Sequence, residues 1–153
     1  MSLRDTILKD VTDAMKSGDK VRVGTLRLVK AEIQNREVDV RAEKGADYRL
    51  GDDEVTAVLT RAAKQRRESV ESFRAGGRED LAVREEQELA IVEAYLPRQL
   101  SEDDVRELIA AAIAETGATS PRDIGAVMKV LMPQVKGRAD GKSVNRLVKE
   151  RLG

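Results

Sequence analysis

The stretch Glu93-Ala94-Tyr95-Leu96-Pro97-Arg98-Gln99-Leu100-Ser101-Glu102-Asp103-Asp104 decides the fold. Helical periodicity runs into Pro97, which lacks an N–H and whose ring clashes with the preceding turn, so a helix halts there. Ser101 with Asp104 three positions later is a capping box, the signature of a new helix start. A stop followed at once by a start predicts an all-α chain in two parts. An N-terminal helical bundle covers residues 1–97, and a small three-helix C-terminal domain covers 98–153.

Upstream, nearly every segment carries the helical period and none alternates as a strand would. Ser2 with Asp5 opens a first helix with Leu3, Ile7, Val11, Ala14 and Met15 as its apolar stripe, and Gly18 closes it. A second starts near Asp19, sets Leu26, Val29 and Ile33 on one face and runs towards Gly45. Its far end is open, because Val38 and Val40 fall out of phase. Residues 45–51 read as a loop. A third helix, capped at Asp52 or a neighbour, turns Val55, Val58, Leu59, Ala62, Val70 and Phe73 inward and stops at Gly76-Gly77. A fourth spans residues 78–96, with Leu81, Leu89, Val92 and Leu96 inward. Four such helices suit an antiparallel bundle.

Downstream, Val105, Leu108, Ile109, Ala112 and Ile113 follow the Ser101 cap up to Gly117. Ser120-Pro121-Arg122-Asp123 starts a helix bearing Ile124, Val127, Met128 and Leu131, with Pro133 as its expected end. The last helix begins at Asp140-Gly141 and carries Val144, Leu147, Val148 and Leu152.

Missing residue types narrow the chemistry. The 153 residues include no His and no Cys, with two Tyr, one Phe and no Trp. Ser–His and Cys–His nucleophile pairs, thiolate chemistry, disulfides and the usual zinc ligand sets are thereby excluded. No catalytic residue, cofactor site or metal site is expected. Two Tyr and one Phe do not build a base-stacking platform. The clusters Asp52-Asp53-Glu54, Glu85-Glu86-Gln87-Glu88 and Glu102-Asp103-Asp104 read as helix starts and solvated faces, since adjacent helical positions rarely converge on a cation. Tyr95 is expected to pack between the two domains. The N-terminus has no apolar h-region and no apolar run approaches the roughly 18 residues of a membrane span, so a cytoplasmic protein with no membrane partner is expected.

Charge is distributed unevenly beneath a zero total of 28 basic and 28 acidic side chains. Residues 1–97 hold 18 basic and 20 acidic groups, whereas 98–153 hold 10 and 8. Residues 129–151 hold 7 basic and 2 acidic groups, a net of +5. On the last helix Lys142, Arg146 and Lys149 share a face opposite the Val144/Val148/Leu152 stripe. Just before it, Lys136-Gly137-Arg138-Ala139-Asp140-Gly141 is a tight loop at a helix N-terminus, where free N–H groups and the helix dipole suit phosphate. Lys136, Gly137, Arg138, Gly141, Lys142, Arg146 and Lys149 are therefore the candidate nucleic-acid-binding residues. An ordinary solvated helix face is the competing reading, since basic helical faces are common. Gly137 to Lys142-Ser143 imitates a phosphate-binding P-loop, but it has three residues between the glycines where the motif needs four. A second basic cluster, Arg61, Lys64, Arg66 and Arg67, lies beside Glu68 and Glu71, which favours intrahelical pairing over a nucleic-acid contact.

Four stretches together resemble a known family: Gly77-Arg78-Glu79-Asp80-Leu81, Glu93 through Ser101, Gly117-Ala118-Thr119-Ser120, and Met132-Pro133-Gln134-Val135-Lys136-Gly137-Arg138-Ala139-Asp140-Gly141. They are similar to the free-standing YqeY-like proteins of the GatB/YqeY family, and the likeness runs essentially end to end. The resemblance implies the fold of the C-terminal part of the B subunit of glutamine-dependent tRNA amidotransferase, a helical bundle with a small tail domain. In that enzyme, the resemblance implies, this region helps hold tRNA while chemistry proceeds elsewhere. Three readings follow. The first is a non-catalytic module that binds tRNA through its basic C-terminal domain. The second is a protein-interaction adaptor whose partner belongs to tRNA-dependent amidation. The third, a carbon–nitrogen ligase with glutamine as amido donor, lacks any visible nucleophile–base pair.

Overall fold

The computed structural model describes all residues, 1–153. The chain is all-helical, with seven α-helices and no strand: α1 (Leu3–Ser17), α2 (Lys20–Lys44), α3 (Asp52–Ala75), α4 (Glu79–Glu93), α5 (Glu102–Thr116), α6 (Ile124–Val135) and α7 (Gly141–Leu152), with a 3-10 turn over Pro121–Asp123 before α6. No helix is long and apolar enough to cross a membrane. The chain divides into two compact units, Met1–Leu96 and Pro97–Gly153.

Local chemistry sets most helix ends. Ser2 Oγ accepts from the Asp5 N–H at 3.0 Å, and Asp19 Oδ1 accepts from the Arg22 N–H at 3.1 Å. Each satisfies a donor the first turn leaves open. Gly18 and Gly117 close α1 and α5 in the left-handed conformation, at φ 76° and 70°. Two expected ends shift. Pro133 lies inside the last turn of α6, where it forfeits one hydrogen bond, and the helix ends two residues later at Val135. The fourth helix stops at Glu93 rather than Leu96. Tyr95 N–H donates to the Val92 carbonyl and Leu96 N–H to that of Glu93, so the chain tightens to i+3 bonds before the proline.

In the first unit α1 packs on α2 and α3 on α4, with α2 touching both α3 and α4. Their shared core holds Ile7, Val29, Ile33, Val55, Leu59 and Val92. A carboxylate sits beside it: Glu37 is 1% exposed. Arg4 donates to it from Nε at 2.7 Å and Nη2 at 3.1 Å, and the Leu50 N–H donates at 2.9 Å. Glu37 thereby fastens the loop after α2 to α1. Tyr95 packs its ring against this same core and donates its hydroxyl to Asp10 at 2.5 Å. Within this unit, Asp10 on α1 supplies the acceptor a part-buried phenol needs.

In the second unit α5, α6 and α7 pack pairwise. Val105, Ile109, Val127, Leu131, Val144 and Val148 form its core.

Candidate nucleic-acid interface

The loop that joins α6 to α7 is built from backbone hydrogen bonds. Lys136 ends α6 by donating its N–H to the Met132 carbonyl at 2.9 Å, and Gly137 takes φ 74°, a conformation side chains disfavour. The incoming chain lies along this loop. Leu100 N–H donates to the Arg138 carbonyl at 2.8 Å, and Gln99 Nε2 donates to that of Gly137 at 3.0 Å. Arg138 reaches to both sides of the loop, donating to the carbonyl of Arg98 in the incoming chain at 3.1 Å and to that of Gln134 on α6 at 3.2 Å. Its guanidinium therefore holds the loop together.

Asp140 caps α7, with its carboxylate 3.4 Å from both the Lys142 N–H and the Ser143 hydroxyl. The N-terminus of α7 thus already faces an anion, its own. Arg146, one turn further on, is also engaged: it donates to Glu102 of α5 at 2.7 Å and to Glu150 at 3.0 Å. The hydrogen bonds to Glu150 and Glu102 raise its pKa above the ordinary arginine value. The two acids offset its charge.

The seven candidate residues therefore separate by role. Gly137 and Arg138 shape the loop, Gly141 opens α7, and Arg146 ties α7 to α5. Lys136, Lys142 and Lys149 are exposed, and none of their ammonium groups makes a hydrogen bond or ion pair within the chain. All three are free to meet an external anion. Glu102 was not legible as the Arg146 partner, because 44 residues separate them and only the packing of α5 on α7 joins them.

The second basic cluster is mostly occupied. Arg66 is 8% exposed and donates to the Ala62 carbonyl at 3.1 Å, with Glu88 of α4 at 3.7 Å from its Nε. Arg67 reaches Glu93 of α4 at 3.3 Å, a cross-helix partner that intrahelical spacing does not reveal. Arg61 and Arg66 line a groove of about 410 Å3 on this unit, together with Glu32, Glu85 and Glu88. Burial, then the neighbouring Glu88, pushes the Glu85 carboxyl above its usual range. No group of three or more acids converges as a cation site would require.

Comparison with known proteins agrees with the end-to-end resemblance. The family described as "Yqey-like protein" matches residues 4–152. The chain is 31% identical over 148 residues to "Altered inheritance of mitochondria protein 41, mitochondrial" of Pyrenophora tritici-repentis, covering 94% of this chain and 77% of that protein. It is 32% identical over 88 residues to the protein of that name in Vanderwaltozyma polyspora, covering 58% and 45%. With that of Saccharomyces cerevisiae it shares 25% over 141 residues, covering 88% and 69%. The match thus spans under half of the Vanderwaltozyma protein and about three quarters of the Pyrenophora one. These names correct the expectation of a cytoplasmic location, since relatives similar along most of the chain are named as mitochondrial. An N-terminus without an apolar h-region speaks only to secretion, and helix composition does not separate one aqueous compartment from another.

Proposed function

The chain belongs to the YqeY-like family, and we propose that it is a non-catalytic helical module that binds tRNA through phosphate contacts from its C-terminal helices. In this reading residues 1–97 form a helical-bundle domain and residues 98–153 a three-helix tail domain, similar to the tail of the amidotransferase B subunit. The observation that carries it is the trio Lys136, Lys142 and Lys149, exposed and without acidic partners on the unit that holds the net positive charge. Lysine ammonium groups on short rigid elements supply sequence-independent phosphate contacts, each displacing counterions from the nucleic acid. Arg138 and Arg146 position this surface, the first by holding the 136–140 loop and the second by fixing α7 against α5. The test is tRNA affinity as a function of salt for the full chain, compared with a Lys136/Lys142/Lys149 triple alanine variant. Undiminished binding by the variant would overturn the reading.

A further inference from the structure

Helix α2 carries apolar residues on two faces. One face buries Leu26, Val29 and Ile33 in the core. On the other, Val21, Gly24, Leu28, Ala31, Asn35 and Val38 are all exposed, with Leu28 at 61% and Val38 at 63%. These six recur at alternating spacings of three and four residues, the seam of a coiled coil, and run about 26 Å at 1.5 Å per residue. Val38 is out of phase with the core because it belongs to this second seam. Gly24 and Ala31 would let a facing helix approach closely. A single asparagine layer at Asn35, in line with Val21 and Leu28, is the kind of device that fixes register and strand number.

The flanking charges identify the occupant. On one side of the seam stand Lys20, Arg27, Gln34 and Arg41; on the other stand Glu32 and Asp39. The carboxylates of Glu32 and Asp39 make no hydrogen bond or ion pair within the chain, and the Arg27 guanidinium touches only the Met15 sulfur, at 3.6 Å. In a parallel pair, a residue on the first side meets the residue five positions on in the facing helix. Two copies of α2 would thus set Arg27 against Glu32 of the second copy and Gln34 against its Asp39, each twice by symmetry. An antiparallel pair would face basic rows with basic and acidic with acidic. We infer that the outer face of α2 is a self-association surface on which a second copy of this chain docks in parallel about a two-fold axis.

The chain has no Cys, so Ala31→Cys introduces its one thiol at a seam position that faces itself only in the parallel pair, at a separation a disulfide can span. Under mild oxidation at micromolar protein, A31C should form a covalent dimer at least about tenfold faster than the exposed α3 control S72C, because pairing raises the local thiol concentration. In the A31C background, L28R should return crosslinking to the control rate. R27E should slow it, and R27E/E32R should restore it. Leu28, Arg27 and Glu32 are exposed, and circular dichroism should show unchanged helicity in all of these variants. Crosslinking of A31C at the control rate, as would follow if a different protein occupies this face, overturns the proposal. So does insensitivity to L28R, or failure of the double charge reversal to restore pairing.

Discussion

Arg4 and Glu37 form a two-point ion pair, Nε to Oε2 at 2.7 Å and Nη2 to Oε1 at 3.1 Å, around a carboxylate that solvent scarcely reaches. Burial alone would push this carboxyl up. The Arg4 hydrogen bonds, the Leu50 N–H and the charges of Arg4 and Arg41 outweigh it and hold Glu37 below the usual glutamate range.

A carboxyl depressed in the folded state stabilises the fold above its unfolded pKa, and that contribution disappears as pH falls through the folded value. Unfolding free energy should therefore drop below about pH 4.5, and Glu37→Gln should flatten that dependence. Arg4→Met should cost about 3 kcal/mol at neutral pH, because it leaves a buried charge short of its closest partner. Urea titrations across a pH series read both effects.

Glu85 has the opposite sign. Its carboxyl is raised, first by burial and then by Glu88, so its ionisation opposes folding as pH climbs past the unfolded value. Glu85→Gln should raise the melting temperature at neutral pH, and the difference should shrink towards about pH 4 as the wild-type carboxyl takes up its proton. A melting series on the two proteins checks this.

Both tyrosines should resist ionisation. Burial and the bond to Asp10 push the Tyr95 hydroxyl far above the ordinary phenol value, and the bond to Glu54 raises Tyr48. Near pH 10 the folded protein should show much less phenolate absorbance than the unfolded chain, whose tyrosines titrate at about that value. A phenol whose pKa is raised on folding stabilises below its unfolded pKa and loses that contribution as pH rises through the folded one, so alkaline unfolding should release the absorbance. Tyr95→Phe should cost about 1.5 kcal/mol, the range for a hydrogen bond to a charged group.

Arg138 and Arg146 of the basic tail should behave unlike Lys136, Lys142 and Lys149. Arg138→Ala removes two bonds to carbonyls and should cost about 1 kcal/mol of stability. Arg146→Ala should cost less than Arg138→Ala, because its ion pairs are half-exposed and water screens them. Neither should change the salt dependence of tRNA binding as much as loss of the three lysines. Chemical denaturation alongside binding measurements separates the two effects.

Local chemistry was legible in the sequence, and contacts between distant positions were not. Ser2, Asp19, Ser101, Gly18 and Gly117 announce helix ends because each acts on a backbone group within about one turn. Glu37 gives no such signal, since the groups that hydrogen-bond it lie 33 residues before it and 13 after it, and its i+4 pairing with Arg41 is what any helix-face glutamate offers. Within α2 it resembles any solvated glutamate. The Lys136–Gly141 basic loop could be found by charge counting. That Asp140 already caps α7 and that Arg146 is drawn to Glu102 are set by the folded loop and by how α5 and α7 pack. Val38 was visible as a break in phase, and only the exposure of all six outer positions reveals a second seam.

The most direct measurement is equilibrium binding of tRNA to the full chain across a salt series, with wild type and the K136A/K142A/K149A variant side by side. For wild type, log K is expected to fall linearly with log salt. The variant should bind more weakly, with a slope shallower by roughly 2.1 to 2.7, that is about 0.7 to 0.9 for each of the three lost contacts. A wild-type chain that does not bind tRNA, or a variant that matches it in affinity and slope, would contradict the tRNA-binding role.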